Sequence, residues 1–321
     1  NGGSNSNSLK TLDVPIILKS GQIISGYNNY NYSTAINGFL VDNSSILPIT
    51  WGGVGSTTTY TVPAGKKLYI THSYGDRIEI DNIIIQKNSA SFFGQPILVD
   101  ENQIVTARGN AIFNGYLVDN DHFSNSLGSS STGNFKGDFL YPDGKENITP
   151  IVYDLYSNPS YIVPTGKNLY ISSIMAGQRT NKILISSKVI FVGRGNYSTG
   201  QNAPIGHFEN PLIASSSDTI AASIGATING FLVDESVIPI TSSISYTVPS
   251  GKILVVLNFH SEGYAQLTSN GVEQLNGYFN HNDNTIGCSP YCFSTTIKSP
   301  LFFDENSVIT TGGVDEVFNG Y

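Results

Sequence analysis

The sequence predicts an all-β chain of tandem antiparallel β-sandwich or jelly-roll modules, and three observations carry that prediction. One nine-residue pattern recurs: YTVPAGKKL at 60–68, YIVPTGKNL at 161–169 and YTVPSGKIL at 246–254. A second occurs four times, as VPIILKSGQIIS from Val14, QPILVDENQIVT from Gln95, NPLIASSSDTIA from Asn210 and SPLFFDENSVIT from Ser299. A third follows each of those: Asn37-Gly38-Phe39, Asn114-Gly115-Tyr116, Asn229-Gly230-Phe231 and Asn319-Gly320-Tyr321. Unlinked patterns in a fixed order mark a repeated β unit, with a pitch of about 80 to 115 residues. Strand signals return every eight to twelve residues or so, and no stretch sustains a helical period.

Each pattern has a physical reading. In the first, Tyr60-Thr61-Val62 is β-prone, Pro63-Ala64-Gly65 is turn chemistry, and Leu68-Tyr69-Ile70-Thr71 resumes a strand. Proline lacks a ladder donor and glycine allows positive φ, so together they end one strand and start the next. The lysine after the glycine (Lys66, Lys167, Lys252) is expected to lay its stem over an apolar edge with its head in water. The second pattern reads strand, turn, strand. The third fits a hairpin turn at Asn-Gly, or equally a bulge or bend inside one buried strand. Its aromatic (Phe39, Tyr116, Phe231, Tyr321) reads as a core plug. A jelly roll needs about eight strands, which such a pitch can supply.

Ordered along the chain, the patterns divide it into an N-terminal tail and orphan half-module (1–44), a first module (45–120), a linker (121–145), a second module (146–236) and a third (237–321). The linker is rich in Ser, Gly and Asn and ends in Pro142-Asp143-Gly144. The short boundary after 236 places the second and third modules in contact. The orphan half-module lacks a first pattern, so it is expected to expose strand edges, and edges are templates for other chains.

Composition narrows the function classes. Charged residues are only 12% and aromatics 11%, which excludes a disordered chain and resembles an extracellular all-β protein. The net charge is −8 and the densest basic pair is Lys66-Lys67, so the footprint that nucleic acid requires is missing. No run of about 18 apolar residues exists to span a membrane as a helix. The start, NGGSNSNSLK, is polar and carries no signal peptide; it reads as a mature N-terminus after export, or as a linker. Cys288 and Cys292, the two cysteines, sit in Cys-Ser-Pro-Tyr-Cys, where a disulfide would staple a loop in an oxidising compartment; two reduced thiols are the alternative. Zinc is disfavoured because no second Cys pair accompanies them.

The search for chemistry returns little. No Gly-x-Ser-x-Gly, His-Glu-x-x-His or phosphate-cradling loop occurs, and the five histidines (72, 122, 207, 260, 281) lie far apart in sequence. Acidic pairs at Asp100-Glu101, Asp304-Glu305 and Asp315-Glu316 could act as glycosidase carboxylates, but the first two occupy the same turn of the repeat, where charge keeps a loop solvated. No catalytic residue, resident metal or cofactor is expected. Calcium is the one cofactor with a sequence case, at the oxygen-rich Asp119-Asn120-Asp121 and Asn280–Asn284. Tyr27, Tyr30 and Tyr32, in the loop from Gly26, offer rings and hydroxyls suited to a sugar or protein surface, and burial against a neighbouring module is the competing reading.

The string PDGKENITPIVYDLYSNPSYIVPTGKNLYIS, from Pro142, resembles repeats of bacterial secreted and cell-surface proteins. The Val-Pro-x-Gly-Lys openings and Asn-Gly-Tyr-Leu-Val-Asp closings are also similar to phage fibre or virion-decoration modules. Val-Pro-x-Gly further resembles cupin jelly rolls, whose metal-binding His-x-His is missing here. The resemblance covers nearly the whole chain past Leu9 and implies a scaffold without transferable functional residues. The expectation is a non-enzymatic structural or adhesive protein at a cell or virion surface. Its expected partners are itself, in a homo-oligomer or filament, and surface carbohydrate or protein. A glycan-active hydrolase is the enzymatic alternative.

Overall fold

The computed structural model describes residues 16, 18, 21–22, 46–53, 55–87, 91–120, 141–144, 147–176, 181–193, 205–261, 265–277, 293–313 and 316–321. Among them the regular elements are strands, and no helix is long and apolar enough to cross a membrane. The first eight are β1 (Leu47–Gly52), β2 (Thr58–Thr61), β3 (Lys66–Tyr74), β4 (Arg77–Ile80), β5 (Ile83–Lys87), β6 (Ser91–Val99), β7 (Ile104–Arg108) and β8 (Ile112–Asp119). The next are β9 (Thr149–Asp154), β10 (Ser160–Ile162), β11 (Lys167–Ala176), β12 (Asn181–Ile185), β13 (Lys188–Gly193), β14 (Ile205–Ala214), β15 (Thr219–Ala222) and β16 (Ala226–Asp234). The last are β17 (Ile240–Ser242), β18 (Tyr246–Thr247), β19 (Leu254–Ser261), β20 (Ala265–Ser269), β21 (Val272–Gly277), β22 (Phe293–Phe303), β23 (Val308–Thr311) and β24 (Val317–Gly320).

In each set of eight the same topology appears. The first, eighth, third and sixth strands form one antiparallel sheet in that order, and the second, seventh, fourth and fifth form the other. Two such sheets face to face make a jelly roll, and the described residues build it three times.

The repeated sequence patterns are the turns that make this topology. Val62, Val163 and Val248 are buried, and each exchanges backbone hydrogen bonds with the second pattern's turn. Val62 N–H donates to the Gln103 carbonyl at 3.0 Å and its own carbonyl accepts from Asn102 N–H at 2.9 Å; Val163 and Val248 do the same with Asp218 and Ser217, and with Ser307 and Asn306. Gly65, Gly166 and Gly251 take φ of 75°, 76° and 73°, the left-handed region the turn requires. A third turn, silent as a sequence repeat, joins the fourth and fifth strands. Asp81-Asn82, Ser186-Ser187 and Asn270-Gly271 all have positive φ at both positions, the two-residue hairpin geometry that suits sheet twist.

Alternation divides the residues of the third strand between two cores. Leu68 and Ile70 point into the first sandwich, Leu169 and Ile171 into the second, and Leu254 and Val256 into the third. The residue between each pair faces outward: Tyr69, Tyr170 and Val255. These outward residues are also buried. They gather with Leu98, Val118, Ile213, Phe231, Val233 and Leu257 in one cluster shared by all three modules. Both faces of these strands are therefore covered at their centre, where three apolar residues follow one another: Leu68-Tyr69-Ile70, Leu169-Tyr170-Ile171 and Leu254-Val255-Val256.

Candidate functional site: the junction between modules

The sixth strand lies at the edge of its sheet, so alternate residues point their N–H and C=O outward, where they need cover. Leu98 on β6 and Ile213 on β14 are such residues. The carboxamide of Asn229, from the next module, satisfies Leu98: Leu98 N–H donates to Asn229 Oδ1 at 3.1 Å, and Asn229 Nδ2 donates to the Leu98 carbonyl at 3.0 Å. One module further on the geometry repeats. Ile213 N–H donates to Asn319 Oδ1 at 2.9 Å, and Asn319 Nδ2 donates to the Ile213 carbonyl at 2.7 Å. A carboxamide carries one acceptor and a donor side by side, as a peptide group does, so it can stand in for a missing strand.

The first strand of its own module holds that asparagine in place. Asn229 Nδ2 also donates to the Ile151 carbonyl of its own module, Asn319 Nδ2 to Thr241 Oγ1, and Asn114 Nδ2 to the Ile49 carbonyl and Thr50 Oγ1. Opposite the motif, the third strand carries a bulge: pairing steps from Ile70 to His72, from Ile171 to Ser173 and from Val256 to Asn258. The extra residue drives the partner backbone against the glycine. A Cβ at Gly115, Gly230 or Gly320 would lie 2.0–2.1 Å from the carbonyl oxygen of Tyr69, Tyr170 or Val255. Of the two readings of Asn-Gly, the bend within a buried strand is correct and the hairpin is not.

The motif aromatics Tyr116, Phe231 and Tyr321 pack in the shared cluster rather than in their own sandwiches, and Phe39 lies outside the described residues. Phe231 stacks on Tyr170 with ring centres 5.2 Å apart, and Tyr116 stacks on Tyr69 at the same distance. Tyr141 packs against both Tyr170 and Phe231. Across the second junction, Asn210 Nδ2 donates to the Leu257 carbonyl at 2.8 Å and Asn258 Nδ2 to the Pro211 carbonyl at 2.9 Å. The buried Asp143 carboxylate accepts from Tyr170 Oη, Asn168 Nδ2, Ser236 N–H and Oγ, and Val237 N–H. That ties the Tyr141–Gly144 turn, at the end of the stretch read as linker, to the boundary after the second module. Burial pushes the Tyr69 phenol far above its ordinary value, helped by Tyr116 and Tyr141. Burial and then the Asp143 charge do the same to Tyr170, and burial pushes Tyr116 up to about 12.

The residues singled out from sequence are placed as follows. Tyr27, Tyr30, Tyr32, Cys288 and Cys292 lie outside the described residues, as do Asp121, Asn280–Asn284, His122, His281 and Asp315. The glutamates of the second pattern cap the facing turn of the first. Glu101 accepts from Gly65 N–H and Glu305 from Gly251 N–H, both at 2.5 Å, and Ser216 Oγ takes the same role at Gly166. Lys66 and Lys167 keep their heads at the surface but pair with Asp119 and Asp234, both at 2.6 Å. Such exposed pairs contribute about 0–1 kcal/mol each. The carboxamide clasp was missed. Its signal was present, in the asparagine that precedes the glycine in all four copies of the motif. No protein-family model matches the chain, and no curated protein does.

Proposed function

We propose that this chain is a non-enzymatic extracellular structural or adhesive protein, whose tandem jelly rolls build a surface appendage or filament. The repeated junction is the observation that carries this reading. The chain spends its recurring asparagine, glycine and aromatic on joining one module to the next, so its most constrained chemistry serves assembly. The acids that an enzyme would need are engaged instead with the turns of their own modules: Glu101 with Gly65 and Glu305 with Gly251. Low charge and abundant Ser, Thr, Asn and Gly suit a surface exposed outside the cell. A glycan or another surface protein is the ligand proposed for the adhesive role, held by loops at the module ends, with Tyr27, Tyr30 and Tyr32 as contacts.

Incubation with a panel of glycans tests the non-enzymatic part, and no turnover is expected. Hydrolysis or transfer that disappears in Glu101→Gln or Glu305→Gln would overturn it. For the adhesive part, replacing the three tyrosines with serine should weaken glycan or surface binding without lowering the melting temperature. A sharp fall in melting temperature would make those rings packing instead.

A further inference from the structure

The outer face of the second-seventh-fourth-fifth sheet differs among the modules, and the difference is one of charge. Ile78 and Ile80 on β4 point into the first sandwich, so Arg77 and Glu79 point outward. Arg77 stands directly opposite Lys87 on β5 and Arg108 on β7, and paired residues share a face. Three cations therefore lie in one row across three neighbouring strands, about 4.8 Å from strand to strand. One carboxylate serves them: the buried Glu79 accepts from Arg77 Nε at 3.0 Å and from Arg108 Nε at 2.8 Å. Asp76 is turned to the Asn110 N–H instead. Lys87 is exposed and has no ion-pair partner among the described residues. Like charges directly opposite one another weaken a sheet, so the row needs a reason. The scaffold does not supply one, because the other two modules build the same sheet without it. In the second, Lys182 faces Val192 and Ser223; in the third, Gln266 faces Asn276 and Gly312. Leu184 and Thr268 stand where the first module has Glu79.

We infer that the row Lys87–Arg77–Arg108 is a binding site for an acidic glycan, engaged through a sugar carboxylate. Three cations and one carboxylate leave two positive charges on this face of a chain whose net charge is −8. Each guanidinium spends its Nε on Glu79, which holds both groups side by side and leaves their terminal nitrogens for a second acceptor. A guanidinium fork matches a planar carboxylate with two parallel hydrogen bonds, and an ammonium beside it adds a point charge. Because Glu79 already orders the two arginines, little ordering remains to oppose binding. The exposed Thr59 on β2 lies on the same face and offers its hydroxyl to the sugar. A row this short does not suit nucleic acid, whose affinity grows with each phosphate neutralised, and the acidic remainder of the chain repels a dense polyanion. The inference rests on the adhesive reading above for its class of ligand and places that ligand on a sheet face rather than on the loop of Tyr27, Tyr30 and Tyr32.

Isothermal titration calorimetry of the full chain with polygalacturonate tests it, against the same polymer methyl-esterified. The acid form should bind, more weakly as salt rises, and the ester should not. Lys87→Glu should weaken binding by roughly tenfold or more. Its melting temperature should stay that of the parent, because Lys87 is exposed. Lys182→Glu makes the same change of net charge on the second module and should leave binding intact. Arg77→Lys keeps the charge but loses the fork, and should also bind more weakly. No binding by the parent, equal binding of the ester, or equal losses in Lys87→Glu and Lys182→Glu overturns the site. Displacement of the polymer by single-stranded DNA would make the row a contact for any polyanion and overturns the glycan assignment. Should the acidic polymer fail while glycans from the panel above still bind, this site falls and the adhesive reading stands.

Discussion

At the scale of single residues, the Asn-Gly-aromatic motif divides three tasks among three side chains. The asparagine caps a neighbour's strand edge, the glycine lets a bulged strand approach, and the aromatic fills the junction. The glycine is the most demanding of these, because its constraint is steric. Gly230→Ala places a methyl 2.0 Å from the Tyr170 carbonyl oxygen, and backbone must shift to admit it. A loss of about 3 kcal/mol or more is expected in urea denaturation, at the upper end for overpacked interiors because the clash is with backbone. Gly166→Ala, in the open turn with nothing within 4 Å, meets only the cost of its φ of 76° and should lose about 1–2 kcal/mol. Equal losses at the two sites would mean that close approach does not explain the motif glycine. Sequence alone showed that this glycine mattered, yet left hairpin and bend equally open. The deciding fact is the bulge on the opposite strand, and nothing in Tyr170-Ile171-Ser172 announces it.

At the scale of elements, turns were the most readable part. Val-Pro-x-Gly and the second pattern read as strand-turn-strand, and the copies from Gln95, Asn210 and Ser299 form that element. What sequence reasoning did not supply was that the two turns bond to each other. Glu101 and Glu305 looked like solvating charge; each is a cap for the glycine N–H of the other turn. The Glu305 carboxyl is held below its ordinary value, first by Gly251 N–H and then by the Ser250 hydroxyl. A folded-state pKa below the unfolded one adds stability above the unfolded value, and that stability is lost as pH falls through the lowered folded one. Glu305→Gln should therefore melt slightly lower than the parent near pH 7, and the gap should shrink as the pH is taken down below the ordinary carboxylate range. A difference that stays constant with acidification would show that the carboxylate charge is not what the turn uses.

At the scale of the whole molecule, the sandwich class was legible from strand spacing and from the absence of helical periodicity. The covered outer faces were not. Alternation along Leu68-Tyr69-Ile70 says that Tyr69 leaves its own core, but only the folded chain shows that it goes to a cluster with Tyr116 and Tyr141. The shared cluster makes a prediction for alkaline solution. Tyr69, Tyr116 and Tyr170 all have folded-state pKa values raised by burial. Their contribution is fully present below the unfolded value of about 10 and is lost as pH rises above it. Absorbance titration should show a delayed group of tyrosines whose ionisation coincides with the loss of structure. A single smooth titration near pH 10, with the fold intact, would place those phenols in water.

The motif as a joint between modules is tested most directly by hydrogen exchange at two amides. Leu98 and Ile213 lie on edge strands, where outward N–H groups ordinarily exchange fast, yet the Asn229 and Asn319 carboxamides cover them. Both amides should be protected in the parent. Asn229→Ala should release Leu98 while leaving Ile213 protected, and Asn319→Ala should do the reverse. Fast exchange at both sites in the parent, or protection unmoved by either substitution, would contradict the joint.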